Sequence, residues 1–263
     1  MIIAIIQARM GSTRLPGKVL KKVLGKPLLE HLIARVKRSR SIDKIIVATT
    51  TRREDVALAR LARSLGVGAY RGSVEDVLDR YYQAARTVKA ETIVRITGDC
   101  PVMDPEIIDQ CVDFYRRSRF DYVCNVNPPT FPDGMDVEVF SFAALQHAWQ
   151  KAKKTSEREH VTPFMRAGGF RTANIKNEID ISGLRLTVDE ERDVSLIRKL
   201  MAFFAEQENP DFGLPDITAL WQRNPEFFSG NQDIERNGGY RQSLKNDRRI
   251  RTGMIQAVKR NHK

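Results

Sequence analysis

The sequence predicts an α/β protein with a Rossmann-like, mostly parallel sheet flanked by helices. Three observations predict it. Short apolar runs alternate with stretches whose apolar residues recur at helical spacing, the first run is apolar at nearly every position, and a loop rich in glycine and cations follows that run directly. With 263 residues, 41% of them hydrophobic, the chain can form one large domain, read here as residues 1–246.

Ile2–Ile6 is continuously apolar, as a strand covered on both faces should be. Pro27–Arg38 sets Leu28, Leu29, Leu32, Ile33 and Val36 on one helical stripe. Lys44–Thr49 reads as a strand, and Arg53–Leu65 as a helix with Leu58, Leu61, Ala62 and Leu65 inward. Val67–Tyr70 is a short strand, and Val74–Val88 a helix burying Val77, Leu78, Tyr81 and Ala85. Thr92–Ile96 is the next strand. A helix then starts at Pro105, with Ile107, Ile108, Cys111, Val112 and Tyr115 on its stripe. In such a sheet ligands sit beyond the carboxyl ends of the strands, so the loops after Ile6, Thr49, Tyr70 and Ile96 should carry the chemistry.

After Phe120–Asn125 the pattern changes. Asn127–Gly134 is rich in turn residues, and Met135–Phe140 alternates as a strand with Asp136 and Glu138 on one face, towards either substrate or water. Two helices follow, then strands near Arg171–Lys176 and Leu184–Val188 and a long helix over Glu190–Glu206. Residues 127–180 are expected to form a small inserted subregion that faces substrate or another copy of the chain.

The net charge is +11, but its location matters. From Arg236 to Lys263 there are nine Lys or Arg against the single acid Asp247, leaving the preceding 235 residues at only +3. Residues 247–263 therefore read as a basic tail, able to meet anions non-specifically, and nucleic-acid binding is not expected as the main function. No run approaches a membrane span. The N-terminus lacks a basic signal-like start, and the cysteines Cys100, Cys111 and Cys124 form no CxxC pair. A cytoplasmic protein is expected.

Three segments carry candidate chemistry. In Gln7–Lys18, Gly11 and Gly17 can turn backbone amides towards an anion, and Arg9, Arg14 and Lys18 supply cations for a triphosphate. The loop is neither a Walker A nor a GxGxxG motif. In Thr97-Gly98-Asp99-Cys100-Pro101, Asp99 follows a strand and can hold Mg²⁺ against phosphates. Asp104, just before Pro105, reads as an N-cap instead. Asp189, where Leu184–Val188 gives way to a helix, reads equally as a second metal ligand or a cap, and Asp193 lies one turn on. Ser73 with Asp76, and Ser156 with Glu159, match helix-capping patterns, and His160 reads as structural.

The Gln7–Leu20 stretch resembles the ARxxSxRLPGKxL signature of the CMP-sugar-acid synthetases, which include the CMP-KDO and CMP-sialate enzymes. Tyr70–Arg80, Ile96–Pro101, Asp133–Phe140, Arg158–Pro163 and Asn237–Leu244 also resemble that family, most of all its spore-coat polysaccharide (SpsF-type) branch. The resemblance implies a GT-A-like fold, CTP as donor, Mg²⁺ as cofactor, a sugar acid as acceptor and a homodimer. It implies that Arg9 and Lys18 bind the triphosphate, that Ala8, Gly11, Ser12 and Arg14 line the nucleotide site, and that Asp99 and Asp189 hold the metal. Arg71 and Ser73 fall where the family contacts nucleotide. Thr97-Gly98-Asp99 departs from the glutamine-containing segments of the KDO and sialate enzymes. The rival readings are nucleotidyl transfer with another triphosphate or acceptor, GT-A glycosyl transfer, and a non-catalytic anion binder working through its basic tail.

Overall fold

A computed structural model describes residues 1–247. The expected basic tail lies, apart from Asp247, outside the described residues. The elements in order are β1 (Ile2–Gln7), a small hairpin of β2 (Lys22–Val23) and β3 (Lys26–Pro27), α1 (Leu28–Val36), β4 (Lys44–Thr50), α2 (Val56–Ser64), β5 (Gly68–Gly72) and α3 (Val77–Thr87). Next come β6 (Thr92–Thr97), α4 (Pro105–Arg117), β7 (Tyr122–Cys124), β8 (Glu138–Ser141), α5 (Phe142–Lys151), α6 (Thr155–His160), α7 (Pro163–Arg166), β9 (Thr172–Asn174), α8 (Glu191–Glu206) and α9 (Leu214–Arg223).

Seven strands form one sheet in the order β5-β4-β1-β6-β8-β7-β9. β1 lies inside the sheet and pairs in parallel with β4 on one side and β6 on the other. The order therefore reverses between β1 and β6, and a crevice opens there at the carboxyl edge. The uninterrupted apolar character of β1 has a direct cause. Ile2, Ala4 and Ile6 pack into a core with α1, α2, α4, α8 and α9, while Ile3 and Ile5 face the opposite core with α3 and α5. No helix among the described residues is long and apolar enough to cross a membrane.

Residues 127–180 are built into this same sheet. β8 runs antiparallel to both β6 and β7, and β9 pairs with β7. Two expectations are corrected. Leu184–Val188 is not a strand: its one ladder-type contact is an isolated bridge from Arg185 to Asp133. Its alternating pattern is met because Leu184, Leu186 and Val188 are buried, without a continuous partner strand. The cap of α6 also differs from expectation, because Glu157, not Glu159, accepts the amides of Lys153 and Lys154, and Ser156 lies inside the helix. The cap at α4 holds: Asp104 accepts Glu106 N–H at 2.8 Å.

Candidate active site

The loop after β1 is fixed before it reaches the crevice. The Met10 amide donates to buried Asp55 at 2.7 Å, and the Gly17 amide donates back to Met10 O at 2.8 Å. Gly17 adopts φ +71°, a left-handed conformation that costs glycine little, and this turn directs Lys18 inward. Ser12 contributes its hydroxyl oxygen to the Leu15 amide at 3.3 Å, so it braces the loop.

Opposite stands Asp99, delivered by the turn after β6. Gly98 donates to Gln7 O at 2.8 Å, and a Cβ at position 98 would lie 2.7 Å from that oxygen and 2.9 Å from Ala8 Cβ. Both close contacts are with main chain or Cβ atoms, which cannot swing away. Gly98→Ala is therefore expected to cost about 1–3 kcal/mol and to push Asp99 out of line. A thermal melt checks it, and a variant melting with the parent would show that the two strand ends can part.

Lys18 joins the two sides. Its ammonium donates to Asp99 Oδ2 at 2.7 Å, to Asp189 Oδ1 at 2.8 Å and to the Val188 carbonyl at 2.7 Å, with its side chain only 10% exposed. Residues 187–189 are in turn tied to Asp99: Val188 N–H donates to Asp99 O at 2.8 Å, and Thr187 Oγ1 at 3.3 Å. Burial alone would raise the Asp99 pKa, but the adjoining Lys18 charge overrides this and holds the carboxyl at about 2. Burial likewise works against the charged form of Lys18, and Asp99 and Asp189 more than offset it, so its pKa is raised.

Asp189 also accepts from Arg14 at 2.8 Å and from Arg185 at 3.0 Å. Arg185, 4% exposed, reaches Asp133 at 2.8 Å and Asp193 at 3.0 Å. Asp193 is fully buried and accepts the backbone amides of Asp189 and Glu190. It positions Asp189 and does not face the crevice. Asp189 is thus held as part of a network, not as a helix cap.

The cleft these residues enclose has a volume of about 230 Å³. Its floor carries Asp136 and Glu138, both of which face the cleft. Glu138 is clamped by Arg95, by Tyr122 OH at 2.5 Å and by Thr162 Oγ1 at 2.7 Å. Burial would raise its pKa, but Arg95 and Arg166 outweigh that and it is lowered. Asp136 pairs with Arg236 at 2.5 Å. Burial there wins over Arg236, with Asp133 and Glu138 adding to it, and pushes the carboxyl up to about 7. Burial and Asp99 keep the Cys100 thiol protonated, with its pKa well above the ordinary value.

The structure therefore brings Lys18, Arg14, Asp99, Asp189, Asp136 and Glu138 together. It does not bring in the other expected residues. Arg9 is exposed and lies off the cleft wall. Arg71 spends its guanidinium on the carbonyls of Thr50, Thr51 and Arg52, tying the turn after β4 to β5. Ser73 accepts the Asp76 amide at 3.0 Å at the start of α3. Ala8 is buried, its amide bonded to Ala48 O, and Gly11 abuts Arg52. Arg185, Arg236, Arg95, His160 and Thr162 were not anticipated. The signal for Arg185 was present: an arginine between buried leucines, four residues before Asp189 and eight before Asp193.

The residues present fit a divalent cation. Two carboxylate oxygens already converge on one positive charge, the Lys18 ammonium. No group of three His, Cys, Asp or Glu able to hold a metal occurs among the described residues. Such a two-carboxylate set matches Mg²⁺, which keeps waters and phosphate oxygens as its remaining ligands.

The sequence profile of the cytidylyltransferase family matches residues 3–234. The spore coat polysaccharide biosynthesis protein SpsF of Bacillus subtilis is 32% identical over 239 residues, covering 86% of this chain and 95% of that protein. A cytidylyltransferase structure from Leptospira borgpetersenii superposes with a TM-score of 0.83 at 33% identity, over 89% of this chain and 99% of that one. A CMP-2-keto-3-deoxy-manno-octonic acid synthetase solved with CTP superposes at 0.59 with 21% identity, over 77% and 98% of the two chains, and shares the fold. With its mostly parallel sheet and its cleft at the carboxyl edge, the chain belongs to the cytidylyltransferase family.

Proposed function

We propose that the protein transfers CMP from CTP to a sugar acid, sialic-acid-like or KDO-like, releasing pyrophosphate, in the making of a cell-surface or spore-coat polysaccharide. The observation that carries the reading is Lys18 gripped between Asp99 and Asp189 beyond the ends of β1 and β6. A hydroxyl of the acceptor attacks the α-phosphorus in line. The new O–P bond forms as the bond to pyrophosphate breaks, and the hydroxyl proton passes to solvent water.

The chain's part is to position and to neutralise charge. Lys18 and Arg14 turn from their aspartates to the triphosphate, where they balance charge moving onto the departing pyrophosphate. Asp99 and Asp189 would hold Mg²⁺, which when bound offers Lewis-acid stabilisation of phosphate oxygens. Arg185 and Asp193 keep Asp189 in place throughout. The basic tail has no part in the chemistry, so removing residues 248–263 is expected to leave turnover unchanged. Homodimerisation belongs to the same reading and is checked by light scattering.

The test is a pyrophosphate-release screen of four nucleoside triphosphates against a panel of sugar acids with Mg²⁺. CTP with one acid is expected to stand at least about tenfold above every other pairing. Release with another triphosphate, or with no dependence on an acid, would overturn the assignment.

A further inference from the structure

One wall of the cleft is made by the end of α6, by α7 and by a helical segment at residues 238–247. That segment is pinned to the body by its own chain. Ser243 Oγ donates to Glu159 at 2.6 Å and contacts His160 Nε2 at 3.1 Å, Ser156 Oγ donates to Asp247, and Arg236 holds Asp136 just before the segment begins.

Five carboxylates line the cleft, and each has a cation: Lys18 for Asp99, Arg14 and Lys18 for Asp189, Arg185 for Asp133, Arg236 for Asp136 and Arg95 for Glu138. Of the three arginines lining the cleft, Arg14 and Arg95 are thus paired. Arg166 alone makes no close ion pair with a carboxylate among the described residues, although its charge also acts on Glu138. Its guanidinium lies over the Tyr240 ring, 5.5 Å from the centroid, and His160 meets the same ring in a T-shaped contact at 5.1 Å. Burial drives the His160 pKa down to about 4, so the imidazole is neutral and adds no second charge. A guanidinium braced on an aromatic face keeps its in-plane N–H groups available, and their fork matches the two oxygens of a carboxylate.

We infer that Arg166, braced by Tyr240, binds the carboxylate of the acceptor, and that the chain's own segment 236–247 thereby selects which acids are accepted. The inference rests on the CMP-transfer reading given above and names the group of the acceptor that the site recognises. A guanidinium whose N–H groups no carboxylate holds favours an anionic acceptor over a neutral sugar.

The experiment compares wild type, Arg166→Met, Tyr240→Phe and Tyr240→Ala. CTP binding is measured by calorimetry, and pyrophosphate release with the best sugar acid, its carboxamide and a sugar phosphate. Arg166→Met should raise the acceptor KM on the order of 30–100-fold, the loss expected for a charged hydrogen-bonded contact, and should leave CTP affinity within about twofold. It should also lose the preference for acid over carboxamide that wild type shows, which a merely structural role would not change. Tyr240→Phe keeps the ring and should behave as wild type, while Tyr240→Ala should lose about threefold to tenfold in acceptor KM.

An unchanged acceptor KM in Arg166→Met, an undiminished acid preference, an equal loss of CTP binding, or a wild-type preference for the sugar phosphate would each overturn the inference and leave CMP transfer standing. Wild type releasing no pyrophosphate with CTP and any acid would instead remove the reading of the cleft itself, and the inference with it.

Discussion

Asp99→Asn is expected to lower kcat/KM for CMP transfer by on the order of 10³-fold or more, with the fold intact. The substitution turns one of two carboxylates facing a common cation position into an amide, whose NH₂ group would repel both Lys18 and any metal. Asp99 is about a quarter exposed, and Lys18 would keep Asp189 and the Val188 carbonyl as partners, so unfolding should shift little. Pyrophosphate release and a circular-dichroism melt, run together, decide it. A variant with near-normal turnover would remove Asp99 from the reacting centre.

The largest stability effect is expected at Arg185. Replacing it with Met leaves Asp193, which is fully buried, without its charge partner and deprives Asp133 and Asp189 as well. Removing one member of a buried ionic network typically costs about 3–5 kcal/mol, because the remaining charges stay desolvated and unanswered. Asn231, which donates to Asp193 at 2.8 Å, offsets only part of that. A urea titration should show the midpoint falling with little change in slope. A loss below about 1 kcal/mol would mean that water reaches the cluster. Activity should fall with stability, since Asp189 loses the contact that aims it.

The parallel half of the sheet was legible because its physics is local. A strand buried on both faces must be apolar throughout, as β1 is, and a helix lying on it must show a 3.6-residue stripe, as α1 and α4 do. The position of the basic loop after β1 and of Asp99 after β6 followed from that order alone. Pairing was not legible. Arg185 meets Asp133 across 52 residues and Arg236 meets Asp136 across 100, and no spacing rule announces such contacts. The same blindness applies to Arg71, which the resemblance places at the nucleotide. Composition shows that a cation is present in a loop, whereas only the fold shows that Arg71 is already occupied by three carbonyls. His160 looked structural because its neighbour in the cleft, Tyr240, lies eighty residues on.

Strand β8 runs against its neighbours, and its first residue, Glu138, lies beside Arg95 near the end of β6. Chain therefore enters the crevice there from the opposite direction to every loop on the parallel side. This divides labour within a single pocket. The segment ahead of β8 and the helices after it lie outside the paired register of β4, β1 and β6. Loops on that side can therefore change without re-pairing the parallel strands, provided that Asp133 keeps its contact with Arg185.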